Sequence, residues 1–458
     1  MKQQVIAILD VGRADKKLFL FDRHYNIVHE QSTRFTDIVD EDGFPCEDIG
    51  QLRLWVFDAL RDVLHGDEFE VKALNFSTYG ASMVYVDEAG KALTPLYSYL
   101  KPYPKVLEEQ FYRAYCNQRL FSAKTASPAL GSLNSGLQLY RLKHHQPEVF
   151  ARTRYALHLP QYLSFLVTSQ AFSDITSVGC HTALWDFQKN LYHRWVTREH
   201  VHSRLAPIRR ADEVLPPAFP AGTYAVGIGL HDSSASLIPY LVNFHEPFAL
   251  ISTNDWCITL NPFNETPLTQ EELLADCLCY LNYKGAPVKA SRLFTGPMME
   301  EQLKKIAEIF HCNTPLLRTM YYNPATVARL QKLQPEERKR STKRSALKPR
   351  DWSVYQDAEE AYHQLMMDIV SLQQRSTQLV LDGSPVRRIF VDGAFSRNSI
   401  YMNLLASAFP ELEVFAASMP QATALGAALA IHHSWNKERI PNDLIALKYY
   451  SAAPELVV

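Results

Sequence analysis

The apolar residues of this chain alternate between short unbroken runs and helically spaced stretches. Residues 4–10, QVIAILD, read as a buried strand. A polar turn covers 11–15, residues 17–22 read as a second strand, and Ile27-Val28 opens a third. Strands this close in sequence form an antiparallel hairpin. The turn carries one Gly and two charged residues, which suits a phosphate or metal-water contact and equally an ordinary hairpin loop. Residues 50–65 space Leu52, Val56, Phe57, Leu60, Val63 and Leu64 as one helix. Strands are expected again at 71–76, running to Ser77-Thr78-Tyr79-Gly80, and at 83–87. The stretch 95–104, PLYSYLKPYP, is an ordered loop whose three tyrosines line a pocket or pack as core. From about 105 to 215 the pattern is mostly helical. Residues 173–177 read as a loop into a small hairpin that ends near Trp185-Asp186. Residues 206–222 hold four prolines and no clear period, and read as a connector.

The second half repeats the opening. Residues 248–252 and 256–260 are strands around a polar turn, Thr253-Asn254-Asp255, about 240 residues after the first such unit. A repeat on that scale points to two related domains. A long helix is expected at 357–381, with Ala361, Leu365, Ile369, Leu372 and Leu379 on one face, and a strand at 388–392. The turn Gly393-Ala394-Phe395-Ser396-Arg397-Asn398 and a helix follow, then a short strand at 413–415. The helix at 422–430, ATALGAALA, has a small-residue face that allows close backbone approach.

Between the halves lies VGIGLHDSSASLIPYL, residues 226–241. It reads as a strand, a tight turn and the start of a helix. Asp232 sits where backbone N–H groups and the helix dipole favour negative charge. It is either a simple cap or a carboxylate that takes a proton from a hydroxyl placed against it.

A chain of 458 residues exceeds one hydrophobic core, so two domains are expected. A formal net charge of −2 gives no reason to expect a nucleic-acid or membrane partner. The first twelve residues hold only a five-residue apolar run before Asp10, too short for a signal peptide or a membrane span. Seven scattered cysteines, with Cys277 and Cys279 as a lone C-x-C, argue against a zinc site and for a reducing cytoplasm. Residues 331–350 carry eight Lys/Arg and two Glu: a solvated surface segment, or a basic patch for a charged partner.

Taken in order, these turns resemble the FGGY family of carbohydrate kinases, members of the actin/hexokinase/Hsp70 superfamily. Asp10-Val11-Gly12-Arg13 is similar to the first phosphate loop, D-x-G-T. Gly229-Leu230-His231-Asp232 is similar to the G-x-H-D catalytic segment, and Thr253-Asn254-Asp255-Trp256 to the second phosphate loop, S-G-T-W. Residues 392–398 resemble the adenosine segment, and Ala422 begins the A-T-x-x-G-A-A helix. The sugar-domain motif L-x-G-x-x-x-D-x-T has its counterpart in Leu166 to Thr176. Two loops depart from the pattern: Arg13 replaces a Thr, and Asn254-Asp255 replace Gly-Thr, which sets a carboxylate where phosphates approach.

The resemblance implies an α/β, two-domain actin/hexokinase/Hsp70-like (ribonuclease H-like) fold with an interdomain cleft. Residues 1–242 form the sugar-binding domain, ending on the catalytic Asp, and residues 243–458 the nucleotide-binding domain. It implies ATP and Mg²⁺, with Asp232 as general base and Asp10 holding the metal through water. Gly12, Arg13, Lys16, Thr253, Asn254, Asp255, Gly393, Ala394 and Asn398 are assigned to the nucleotide. Thr78, Tyr79, Gly80, Lys101 and His231 are assigned to the sugar. The loop 78–80 followed by Tyr99-Leu100-Lys101-Pro102, with Tyr449-Tyr450 near the end, is similar to L-fuculose and L-rhamnulose kinases. Xylulose, ribulose and glycerol kinases share the core motifs. The rival reading is a sugar-binding regulatory protein with weakened ATP binding. The expected partner is a small-molecule sugar, with a homodimer left open.

Overall fold

The computed structural model describes residues 2–253, 256–333, 347, 350–419 and 421–451. The expected hairpin is present: β1 (Gln3–Val11), β2 (Asp15–Phe21) and β3 (Ile27–Arg34) pair antiparallel. β1 is apolar on both faces because both are covered. Val5, Ala7 and Leu9 enter one core, Ile6 and Ile8 another. α1 (Ile49–His65) starts on Asp48, whose carboxylate accepts from the Gly50 and Gln51 amides at 2.8 and 3.1 Å. It leads to β4 (Phe69–Thr78), parallel to β1. β5 (Val214–Leu215), β6 (Ala225–Gly227) and β7 (Leu230–His231) complete the sheet, with β6 and β7 both parallel to β4.

α2 (Asp232–Asn243) then crosses to a second sheet. Its strands are β8 (Phe248–Thr253), β9 (Trp256–Asn261), β10 (Cys277–Leu281) and β11 (Pro287–Phe294), followed by α3 (Ala358–Leu381), β12 (Arg388–Gly393), α4 (Ser399–Ala408), β13 (Glu413–Ser418), α5 (Ala422–Ala430) and β14 (Ala446–Tyr450). The spatial order β3-β2-β1-β4-β6 of the first sheet recurs as β11-β9-β8-β12-β13 in the second, with the same strand directions. The internal repeat is therefore a repeat of topology.

α2 and α5 occupy equivalent places, one after each sheet's last parallel strand, and they pack against each other. Their closest approach has a local cause. Pro239, inside α2, has no N–H to offer the Ala235 carbonyl four residues earlier. Gly426 of α5 lies on that carbonyl: a Cβ at 426 would stand 1.8 Å from the oxygen. Because of this crossing, Ala424, Leu425 and Ala427 join the core of the first sheet beside Ile6 and Ile8.

Two local expectations are corrected. Ser173–Asp174 do not lead into a hairpin; they pair parallel with Ile208–Arg209, and a short helix, Ile175–Val178, follows. The hairpin begins at Trp185–Asp186 and returns at Leu191–Tyr192. The connector at 206–222 thus contributes two short strands, including β5. The helical region at 105–215 also holds a strand, Tyr155–His158, paired with Met83–Val86. Among the described residues no helix is long and apolar enough to cross a membrane.

Candidate active site

The strand ends and helix starts of both halves meet in a cleft of about 440 Å³. Asp232, Ser233, Trp256, Asp392, Arg397 and Thr423 are among the residues that line it. Asp232 is the first residue of α2, with His231 in extended conformation before it. Its Oδ1 is held: the Ser233 amide donates to it at 2.5 Å and the Ser233 hydroxyl at 3.2 Å. His231 Nε2 lies 3.3 Å from the same oxygen. The side chain remains 34% exposed to the cleft. The cap position itself belongs to His231, and Asp232 is the first residue of the helix.

Asp10 is the next-to-last residue of β1. The Thr423 hydroxyl donates to Asp10 Oδ2 at 2.7 Å, which ties the first strand to the N-terminus of α5. Burial raises the Asp10 pKa to about 6; the Thr423 bond opposes this, and the Asp232 charge adds to it. Asp392 is the second carboxyl that lines the cleft. Burial raises its pKa as well, while the Gly393 amide donates to Oδ1 at 2.7 Å. Gly393 itself has φ +89, and a Cβ there would meet the Thr253 carbonyl at 2.3 Å, so only glycine fits the turn.

Several residues assigned from sequence stand elsewhere. Lys16 does not face the cleft. It is 1% exposed, and its ammonium lies 2.6 Å from Glu47 Oε2 and donates to the Gly12 and Arg13 carbonyls at 3.0 and 3.1 Å. Arg13 forms a two-toothed pair with Asp37 at 2.9 and 2.6 Å and also reaches Glu47. The chain's own carboxylates therefore neutralise both cations of the first loop. Among the described residues lining the cleft, Arg397 is the one Lys or Arg.

Thr253 is fully buried; its hydroxyl donates to the Asp392 carbonyl at 2.5 Å and accepts from the Phe395 amide. Asn398 caps α4 through the Tyr401 amide and donates to the Tyr362 hydroxyl. Both are structural here, because their polar atoms are already spent on backbone and neighbours. Ala394 is exposed at the following turn. Asn254 and Asp255 lie outside the described residues.

On the sugar side, Lys101 is corrected in the same way. Its buried ammonium sits 2.5 Å from Asp40 and 2.7 Å from Asp42, so it pins the 40–42 turn. Thr78 pairs in register with His231, and its hydroxyl donates to the Tyr79 carbonyl. The Tyr79 hydroxyl donates to Glu47 at 2.6 Å. Gly80 packs directly on the His231 ring. The loop tyrosines serve packing: Tyr97 donates to Glu41, Tyr103 to the Leu137 carbonyl, and Tyr99 lies against Tyr79. Sequence reasoning missed Glu47, Thr423, His181 and Tyr280. Only Thr423, inside the A-T-x-x-G-A-A stretch, carried a sequence signal.

Comparison with known proteins covers nearly the whole chain. The profile of the FGGY family of carbohydrate kinases, N-terminal domain, matches residues 5–227, and that of the carbohydrate kinase FGGY C-terminal domain matches residues 245–439. A rhamnulokinase of Halalkalibacterium halodurans is 24% identical over 185 residues, 39% of each chain. An L-fuculokinase of Escherichia coli (strain K12) is 23% identical over 280 residues, 57% of each chain. The chain thus aligns with well under two thirds of the length of these curated relatives. Among solved structures, a carbohydrate kinase from Novosphingobium aromaticivorans has a TM-score of 0.80 at 23% identity, covering 99% of this chain and 95% of its own. A ligand-bound xylulose kinase from Lactobacillus acidophilus has a TM-score of 0.77 at 15% identity, covering 98% and 94%. These likenesses bear out the two-domain sugar-kinase fold.

Proposed function

Because the chain belongs to the FGGY family of carbohydrate kinases, we propose that it transfers the terminal phosphoryl group of ATP to a hydroxyl of a small ketose, with Asp232 as general base. The observation that carries this reading is the carboxylate of Asp232: one oxygen is fixed by Ser233, and the side chain stays open to a cleft between two repeated sheets. The free oxygen takes the proton of the sugar hydroxyl. The hydroxyl oxygen then bonds to the γ-phosphorus, the bond to the bridging oxygen breaks, and ADP leaves. Such a transfer asks the protein mainly for positioning and charge balance.

Among the described residues no three carboxylate, His or Cys side chains are gathered to ligate an ion directly; Asp232 and Asp392 line the cleft, so a divalent cation there would keep its water shell and be held through it. Asp10 would hold Mg²⁺ through water, and the ion when bound would neutralise the phosphate oxygens. Gly393 keeps the backbone close to the nucleotide, and Arg397 supplies a cation at the rim. In this reading residues 1–242 carry the sugar side and residues 243–458 the nucleotide side.

For the sugar we propose a 6-deoxy-ketose, L-fuculose or L-rhamnulose, on the strength of the curated relatives. Xylulose-, ribulose- and glycerol-type substrates are the alternatives. A panel of these sugars with Mg-ATP, read by ADP release, tests the reading. Sugar-dependent ADP from a ketose supports it; no sugar-dependent ADP with any of them refutes it. The neutralised Arg13 and Lys16 favour one second reading, a sugar-binding regulatory protein. It requires thermal stabilisation by sugar and none by any nucleotide.

A further inference from the structure

Glu47 is a buried carboxylate that the reaction above does not use, and it joins separate segments of the first half. It is 3% exposed. Its main chain is fixed: the Glu47 amide donates to the Leu96 carbonyl and the Leu96 amide to the Glu47 carbonyl, both at 3.1 Å. The next residue, Asp48, caps α1. From this fixed point the side chain reaches three groups. Oε2 lies 2.6 Å from the Lys16 ammonium, Oε1 accepts from the Tyr79 hydroxyl at 2.6 Å, and the Arg13 guanidinium stands 3.3 Å from Oε1. A buried charge is costly unless it is paired and hydrogen-bonded, so Glu47 and Lys16 depend on each other.

The other protons of Lys16 connect the pair to the first loop. They go to the Gly12 and Arg13 carbonyls at 3.0 and 3.1 Å, so with Glu47 the ammonium has an acceptor for each of its three N–H bonds. Both peptide bonds are trans, and in a trans peptide the carbonyl and the following N–H point in opposite directions. Drawing the two carbonyls onto Lys16 therefore turns the Arg13 and Ala14 amides away from it. Neither amide has a backbone acceptor among the described residues. The Arg13 side chain is drawn aside by Asp37, so the tip of the loop presents amides instead of a cation.

Tyr79 carries the lock towards Asp232. Its amide donates to the Val11 carbonyl at 3.3 Å, and Gly80 beside it packs on the ring of His231, the residue before Asp232. Burial, and then the Glu47 charge, raise the Tyr79 pKa, so the phenol stays protonated and keeps donating.

We propose that Glu47 is a positioning residue for phosphoryl transfer: through Lys16 it shapes the loop at 12–15, through Tyr79 it fixes the segment 78–80, and so it keeps phosphate and sugar hydroxyl aligned at Asp232. This rests on the kinase reading above. Glu47 itself touches neither substrate. The first loop lacks the Thr of the family pattern at position 13, and a buried ion pair shapes it from behind instead.

The test measures kcat and the KM for ATP and for ketose in the wild type, Glu47→Gln, Tyr79→Phe and the double variant Lys16→Met/Glu47→Gln. L-Fuculose, L-rhamnulose and D-xylulose are the probes, and circular dichroism gives the folded fraction of each protein. Glu47→Gln keeps an acceptor for Tyr79 but strips the counter-charge from Lys16. In the double variant no buried ammonium is left unpaired, and Tyr79→Phe removes no charge. Per folded molecule, kcat should fall about tenfold or more in Glu47→Gln and in the double variant, the scale of a small misplacement of reacting groups, with both KM values within about threefold. Tyr79→Phe should lose about threefold in kcat with the same split. A merely structural role lowers the folded fraction and leaves kcat per folded molecule unchanged. Wild-type kcat in folded Glu47→Gln or in the folded double variant therefore overturns the proposal and leaves the kinase reading standing. If neither folds, wild-type kcat in Tyr79→Phe overturns it. A tenfold rise in KM for ATP at unchanged kcat overturns it in favour of a direct nucleotide contact. A wild type that forms no sugar phosphate from any of the three ketoses overturns the kinase reading and this proposal with it.

Discussion

Replacing Asp10 with Asn should make the ligand-free protein more stable at neutral pH while disabling it as a kinase. Asp10 is pulled from the usual 3.8 to about 6, first by burial and then by the neighbouring Asp232 charge. A carboxyl whose folded pKa is raised contributes stability that is fully present below the unfolded pKa and is lost as pH rises through the folded one. The window here is therefore about 3.8 to 6, and above it the folded protein holds an unfavourable charge. The difference of about 2.2 units corresponds to roughly 3 kcal/mol at 1.36 kcal/mol per unit. Water in the cleft reaches part of the carboxylate, so about 1–2 kcal/mol is expected. For domains of this size that is a rise of roughly 2–8 °C in Tm.

The amide introduced by Asp10→Asn retains an oxygen for the Thr423 hydroxyl, so the fold loses no partner. The assay is thermal unfolding of both proteins in EDTA from pH 4 to pH 8. The Asn variant should match the wild type near pH 4, gain through pH 6 and hold a constant lead at pH 7 to 8. Its ketose-dependent ADP formation should fall by about 10²-fold or more, the scale of losing a charge-placing group at the reacting centre. A variant less stable than wild type at pH 8, or a difference that does not change with pH, would refute the reasoning. It would make Asp10 a structural carboxylate.

Further outcomes follow from the packing. Gly426→Ala places a Cβ against the Ala235 backbone oxygen, where neither helix can yield, and should cost more than about 3 kcal/mol, seen as failed expression or a Tm lowered by about 10 °C or more. Lys101→Met strips the counter-charge from buried Asp40 and should cost about 3 kcal/mol in urea unfolding, yet leave the sugar KM unchanged in the folded fraction. Asn398→Ala removes a cap and should cost about 1 kcal/mol, with the KM for ATP within about twofold; a tenfold rise would return Asn398 to the nucleotide.

The framework of the molecule was legible because it is local. The runs at 4–10 and 248–252 are apolar on both faces, since helices cover both sides of each sheet, and a strand–turn–strand at short range admits one pairing. The helix-opening Asp232 and the small-residue helix at 422–430 were also readable as motifs. What was not readable is where long charged side chains go. Lys16 and Lys101 look like ligand cations by position, but Glu47, Asp40 and Asp42 reach them first, and those partners lie some 30 to 60 residues away in sequence. The short strands at 173–174 and 208–209 were missed for a related reason: two residues carry no period, and only their mutual pairing makes them strands. His181 and Tyr280 come from opposite halves, and no spacing in one chain announces that they meet.

The most direct test of the central claim compares the wild type with Asp232→Asn in the presence of Mg-ATP and the preferred ketose, with the sugar phosphate counted by mass spectrometry. Asn keeps the shape of the side chain and the contacts to Ser233 but cannot take the hydroxyl proton. The wild type should form sugar phosphate and ADP in equal amounts. In Asp232→Asn, turnover should drop by about 10²-fold or more while ketose binding by calorimetry stays within about threefold. Sugar phosphate formed by Asp232→Asn at the wild-type rate would contradict the general-base role.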